Sequence, residues 1–244
     1  MILELDCGNS RIKWRLVVAH EHTVDCYGVV TSIAELLLQL KPYSGQLKYC
    51  RICSVKGELF DAELASRLAA LADIRIVYVT SNQCLDAVVN GYEVPEQLGV
   101  DRWLGIIAAY QLYRKACVVI DCGTAVTVDF VDEDGKHLGG AIAPGMRTLA
   151  LALTANTGLP EAGYSSELKI GRNTSEALKV GISSMFHGFL DSQIKLARSL
   201  LNNNFQLVLA GGDAVSAKQY LGQGVIQDDL VLDGLKYASP YGEE

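Results

Sequence analysis

Short apolar runs broken by polar clusters recur along the whole chain. Runs of strand length occupy residues 2–6, 12–18, 24–30, 47–54 and 74–79, and again 116–121, 125–131, 137–143 and 205–210. Between them lie stretches with helical spacing at 32–41, 57–72, 101–115, 145–155, 174–202, 213–222 and 230–238. The clearest period follows Asp101, where Trp103, Ile106, Ile107, Tyr110 and Tyr113 recur at one helical face. Strands lead and helices follow in each half, which predicts an α/β fold.

The pattern is also duplicated. Residues 2–10 read ILELDCGNS and residues 118–127 read VVIDCGTAVT, so an apolar strand ends twice in Asp-Cys-Gly and is followed by a second strand. Asp6 and Asp121 are separated by close to half the chain, and a third turn, AGGDA at 210–214, ends a strand and opens a helix. Two repeated halves facing across a cleft are expected, residues 1–114 and 115–244, with the boundary near 113–116.

Each Asp-Cys-Gly turn is a hairpin in which Gly8 and Gly123 are expected to supply unusual backbone angles, with Asn9 tolerating left-handed geometry. Small turn residues also let backbone N–H groups approach an anion. Asp6 at a strand end suits Mg²⁺, which takes one or two carboxylates plus phosphate oxygens. Lys13, two residues beyond Arg11, offers a point charge for phosphate. No GxxxxGK[ST] and no G-x-G-x-x-G occurs, so neither a Walker loop nor a dinucleotide fingerprint is present. In the loop NGYEVPEQLGVDRW, Asp101 reads as a helix N-cap. Arg102 opposes the helix dipole there and so stands out as a candidate for function or for a salt bridge. An arginine beside an aspartate can hold a substrate carboxylate while the aspartate takes a hydroxyl proton.

Composition limits the partners. Half of the 244 residues are apolar, which excludes a disordered chain, and the net charge of −7 carries no basic cluster. Long polyanions such as nucleic acids are therefore unexpected, while a local anion site is not excluded. The N-terminal run has no basic, signal-like segment and no apolar run reaches membrane-spanning length, so a cytoplasmic protein with no membrane association is expected. The seven cysteines are odd in number and scattered. Cys50 and Cys53 form a C-x-x-C inside a strand-like run, where residues three apart face opposite ways and read as packing rather than as a zinc site. His20, His22, His137 and His187 have no metal-ligand spacing.

Taken together, DCGNSRIK at 6–13, GVDR at 99–102, DCGTAVTVD at 121–129, NTSEA at 173–177 and AGGDA at 210–214 resemble the type III pantothenate kinases, in the same order along the chain. The resemblance implies a duplicated ribonuclease H-like fold of the actin, sugar kinase and heat-shock ATPase superfamily. It further implies a homodimer that phosphorylates the primary hydroxyl of pantothenate with ATP, the first step of coenzyme A synthesis. On that basis Asp6, Cys7, Gly8, Asn9, Ser10, Arg11, Ile12 and Lys13 form a nucleotide-phosphate motif, with Asp6 near Mg²⁺ and Thr124 contacting ATP. Gly99, Val100, Asp101 and Arg102 match the substrate motif, with Asp101 the base, and Tyr92 and Thr174 are further pantothenate contacts. Asp121 matches a site for a monovalent cation, K⁺ or ammonium, and Asp129 assists metal binding. Asn173 and Glu176 also form a capping-box variant that places Thr174 in a first helical turn. Residues 155–170 match weakly. A regulatory protein on the same scaffold, or a kinase of another small alcohol, are the alternatives; the paired Asp101 and Arg102 favour an enzyme.

Overall fold

The computed structural model describes residues 1–19, 23–160, 163 and 170–241. The first sheet is built from β1 (Ile2–Cys7), β2 (Ile12–Val17), β3 (Val24–Val30), β4 (Tyr49–Ser54) and β5 (Arg75–Tyr78), with α1 (Ile33–Leu40) and α2 (Glu58–Leu71) between its strands. A small hairpin follows, β6 (Cys84–Leu85) and β7 (Val88–Val89), and then α3 (Val100–Tyr113). The second sheet comprises β8 (Cys117–Cys122), β9 (Ala125–Val131), β10 (His137–Pro144), β11 (Gln206–Ala210) and β12 (Val225–Ile226). Its helices are α4 (Met146–Asn156), α5 (Thr174–Leu200) and α6 (Ala214–Leu221), and α7 (Leu230–Ala238) ends the chain.

The predicted duplication is visible in the strand orders. The first sheet runs β3-β2-β1-β4-β5 and the second β10-β9-β8-β11-β12, each an antiparallel meander continued by parallel strands. Because side chains alternate along a strand, each sheet has two faces of different character. In the first, Leu3, Leu5 and Cys7 lie with Ile12, Trp14, Cys50 and Ile52 in a buried cluster that includes Leu36 and Leu40 of α1 and Leu64 and Leu68 of α2. The opposite face carries Glu4 and Asp6 of β1, registered with Arg15 and Lys13 of β2 and with Arg51 and Cys53 of β4. In the second sheet Val118, Ile120 and Cys122 pack with Val126, Val128, Leu207 and Leu209 against Phe186 and Leu190 of α5.

The chain divides into two compact units, residues 1–108 with 229–244, and residues 109–228. The sequence reading assigned everything after residue 114 to one half, whereas α7 packs on β1 and β4 of the first unit. Polar contacts account for this placement. Arg15 NH1 donates to Asp233 Oδ1 at 2.8 Å, Arg51 NH1 donates to the Ser239 carbonyl at 2.8 Å, and the Tyr49 and Ser239 hydroxyls are 2.7 Å apart.

Three further expectations change in detail. Gly8, Asn9 and Gly123 are not among the positive-φ residues seen in the described part of the chain. Cys7 pairs with Ile12, leaving a four-residue connection, a loop length built most often on a type I turn that requires no left-handed residue. The helix expected to be capped by Asp101 begins instead at Val100, and the Gly99 carbonyl accepts from Trp103 N–H at 2.9 Å. Cys50 and Cys53 are both buried free thiols on opposite faces of β4, as the strand period requires. His20, His22 and most of the weakly matching 155–170 stretch lie outside the described residues. Among those described, no helix is long and apolar enough to cross a membrane.

His187 is buried on α5 and stacks flat on Tyr220, with ring centroids 3.7 Å apart. Its Nδ1 has no hydrogen-bond partner among the described residues. Burial holds the imidazole below its ordinary 6.5, against a smaller upward pull from Asp191. The unfolded chain therefore takes up this proton first as the pH falls, so stability is lost from about pH 6.5 downward. His187→Phe keeps an aromatic ring against Tyr220 and removes the titration. Thermal midpoints measured from pH 7.5 to 5 are expected to fall less for this variant than for the parent chain. Equal slopes would show that His187 does not contribute.

Candidate active site

Face and strand end together place the first group of site residues. Asp6 is half-buried one position before the end of β1, directly opposite Lys13 on β2 and Cys53 on β4. Residues paired across a ladder share a face, so these three side chains do so. Burial pushes the Cys53 thiol well up, and the next two causes are the charges of Asp6 and Asp101. Both carboxylates thus act on one thiol at the end of β4. The aspartate of the hairpin and the aspartate of the GVDR motif, far apart in sequence, both raise the same buried thiol.

The glycine of GVDR has a steric reason. A Cβ on Gly99 would come within 2.7 Å of Asp101 Oδ1. That oxygen accepts from the Arg102 backbone N–H at 2.8 Å. Asp101 therefore sits inside the first turn of α3, using one oxygen to satisfy a helix-terminal donor. Among the described residues no hydrogen bond to its second oxygen is seen. Arg102 is buried, and its NH1 donates to the Tyr92 hydroxyl at 2.8 Å, with the guanidinium 5.6 Å from the ring centroid. Two expected substrate contacts are thus assembled into one unit, and the cation that opposed the helix dipole is held by an aromatic hydroxyl.

The loop that presents Tyr92 is held by residues the sequence reading did not single out. Buried Asn90 donates from Nδ2 to the carbonyls of Asn82 at 3.2 Å and Pro95 at 3.1 Å, and its Oδ1 accepts from Tyr92 N–H at 3.0 Å. Ser81 Oγ donates to the Leu98 carbonyl at 2.7 Å. The available signal is the Asn-Gly pair at 90–91, since an Asn side chain that bonds two residues on is a known turn former.

In the second unit the Asp121 hairpin is bounded by two turns. Thr124 is exposed, and its carbonyl accepts from Thr148 Oγ1 at 2.6 Å and Gly145 N–H at 3.0 Å, both at the start of α4. Gly211 has φ of 86°. A Cβ on it would lie 2.4 Å from Asp121 Oδ1 and 2.6 Å from the Cys122 backbone, so the AGGDA turn needs glycine to sit against Asp121. Burial raises the Cys122 thiol, helped by Asp121 and Asp213. Asp121 and Asp213 therefore lie at one strand end.

Asp129 does not join them. It is 1% exposed, registered with Val119 one pleat deeper than Asp121, and bonded to buried His137 Nε2 at 2.9 Å. Asp129, expected to assist metal binding, is here a buried partner of His137. Thr174 is exposed at the first position of α5, where the predicted capping box forms. Asn173 Oδ1 accepts from Glu176 N–H at 3.0 Å and Asn173 Nδ2 donates to Glu176 Oε1 at 2.8 Å. Thr174 also lines an apolar cavity of about 580 Å³ with Leu149, Leu153, Leu178 and Met185.

Comparison with known proteins agrees with the motifs. A family profile described as type III pantothenate kinase matches residues 2–196. A type III pantothenate kinase of Azotobacter vinelandii is 41% identical over 249 residues, covering 98% of this chain and 99% of that protein. Among solved structures, a protein of Campylobacter jejuni named for the Baf family of transcriptional activators superposes with a TM-score of 0.63 at 19% identity, over 96% of this chain and 95% of the other. One from Sinorhizobium meliloti, named for 2-dehydro-3-deoxygalactonokinase, gives 0.59 at 14% identity, over 98% of both chains. At these identities the structural matches show the fold alone, a duplicated α/β fold.

Proposed function

Since the chain belongs to the type III pantothenate kinase family, we propose that it transfers the γ-phosphate of ATP to the primary hydroxyl of pantothenate, giving 4′-phosphopantothenate for coenzyme A synthesis. The observation that carries this reading is the GVDR turn, where Asp101 is held at the start of α3 against Gly99 and buried Arg102 beside it is bonded to the Tyr92 hydroxyl.

The chemistry asks little of the protein beyond placement and charge. Asp101, with one oxygen fixed by the Arg102 N–H, receives the proton of the pantothenate hydroxyl on the other. Arg102 is buried with its guanidinium bonded to the Tyr92 hydroxyl, and a planar cation positioned in this way suits the carboxylate of pantothenate. Thr174 adds a hydroxyl to the pantothenate site. Gly8 to Lys13 contact the ATP phosphates through backbone N–H groups and the Lys13 ammonium, and Thr124 contacts ATP. A carboxylate at a half-buried strand end is a hard oxygen donor, so Asp6 fits Mg²⁺ and Asp121 fits K⁺ or ammonium. Bound cations would offset the charge of the polyphosphate that the carboxylates alone would repel. The proposed enzyme is a cytoplasmic homodimer.

The deciding experiment is an ATP-dependent phosphorylation assay on pantothenate with Mg²⁺, in K⁺ and in Na⁺. Phosphopantothenate is expected in K⁺ and little in Na⁺. Absence of product in both salts would overturn the reading, and equal rates would remove the proposed role of Asp121.

A further inference from the structure

The two sheets turn alike after their fourth strands. Following β4 the chain runs Ser54-Val55-Lys56-Gly57 into α2, and following β11 it runs Gly211-Gly212-Asp213-Ala214 into α6. In both turns a backbone N–H reaches the carbonyl of the cysteine in the Asp-Cys-Gly repeat, Val55 to Cys7 at 3.2 Å and Asp213 to Cys122 at 3.0 Å. The turns occupy matching places beside matching hairpins. One turn carries a lysine and the other an aspartate.

Lys56 is built into its place. Its Nζ donates to the Asn9 carbonyl at 2.7 Å, within the Gly8–Arg11 hairpin. The ammonium lies 5.5 Å from the Phe60 ring centroid, which steadies the side chain. Its backbone N–H donates to Ser54 Oγ at 3.3 Å, Ser54 Oγ donates in turn to Asp61 Oδ1, and Asp61 N–H closes back on the Gly57 carbonyl at 3.1 Å. Among the described residues no carboxylate forms an ion pair with it. An ammonium has three donors, and a neutral carbonyl uses one of them. A half-buried cation held against a hairpin without an anionic partner is suited to an anionic ligand bound at that hairpin.

We propose that Lys56 is a further nucleotide-phosphate residue of this chain, bracing the hairpin through the Asn9 carbonyl and adding a cation for the polyphosphate. This rests on the reading of Gly8–Lys13 as the phosphate site. The opposite charge at Asp213 fits the different partner proposed for the second hairpin, a cation at Asp121.

The test compares the parent chain with Lys56→Met, Lys56→Gln and Lys56→Arg, measuring binding of MgATP and of AMP by calorimetry and KM for both substrates. Met keeps the apolar stem, Gln checks the charge independently of it, and thermal midpoints establish that each variant is folded. A lost charge-assisted bond to phosphate is expected to weaken MgATP by roughly tenfold or more. AMP binding and the KM for pantothenate are expected to stay within about twofold, and Arg is expected to restore most MgATP affinity. Equal weakening of ATP and AMP, or no change in either, would overturn the assignment. If the parent chain binds MgATP yet leaves pantothenate unphosphorylated, the proposed reaction fails while the ATP and AMP comparison still decides Lys56. If the parent chain binds no MgATP, both readings fall.

Discussion

Asp101→Asn is expected to lower turnover by about 10²- to 10⁴-fold, the usual contribution of a positioned proton acceptor. Asn has nearly the same shape and keeps an oxygen for the Arg102 N–H, so the start of α3 and the close approach to Gly99 need not change. What disappears is the carboxylate that takes the proton of the attacking hydroxyl. MgATP binding and the thermal midpoint should stay near those of the parent chain, because neither depends on that proton transfer. Initial rates at saturating ATP and pantothenate, with a melting curve on the same preparations, check both halves. Turnover within tenfold of the parent would leave Asp101 as an acceptor for a helix-terminal N–H and nothing more.

The role of Asp101 also shows where sequence reasoning succeeds and where it stops. An aspartate ahead of an amphipathic stretch reads as a cap, and the helix starts one residue earlier, so the carboxylate sits within the first turn. The G-x-D spacing was legible as a motif, but its cause, an oxygen 2.7 Å from where a Cβ would stand, is a three-dimensional fact. Apart from β12, the strands of both sheets were legible because each spans four residues or more of largely apolar pattern. The two-residue strands β6, β7 and β12 contain no full period and left no signal. The placing of Asp6 beside Cys53 required the pairing of β1 with β4, which no local pattern reveals. The placement of α7 on the first sheet is likewise settled by distant side chains, Arg15 with Asp233 and Arg51 with Ser239. The burial of Asp129, two residues beyond the registered pair Asp121 and Thr127, was likewise not legible in its motif.

Glu4 carries the largest expected effect on stability. It is completely buried in the middle of β1, and its two oxygens accept from different arginines, Oε2 from Arg15 and Oε1 from Arg51. Arg51 Nε lies 2.7 Å from Oε1, and Arg15 also reaches Asp233. Glu4→Met leaves Arg51 buried without a carboxylate, since its remaining partner among the described residues is the neutral Ser239 carbonyl. Breaking one side of a buried ion pair costs about 3–5 kcal/mol, mostly because the stranded charge stays desolvated. An unfolding free energy lowered by that amount, measured by urea titration, is expected for Glu4→Met. The pair Glu4→Met with Arg51→Met removes both charges, leaves Arg15 with Asp233, and should lose less than the single variant. This ordering separates two physical causes. If stranded charge dominates, the double variant recovers stability, whereas a double variant as weak as the single would place the contribution in the packing of β1 against β4 and α7. The first outcome would also mean that α7 is retained on its sheet by compensation of charge, with Asp233 and the Ser239 carbonyl as the groups that answer the two arginines.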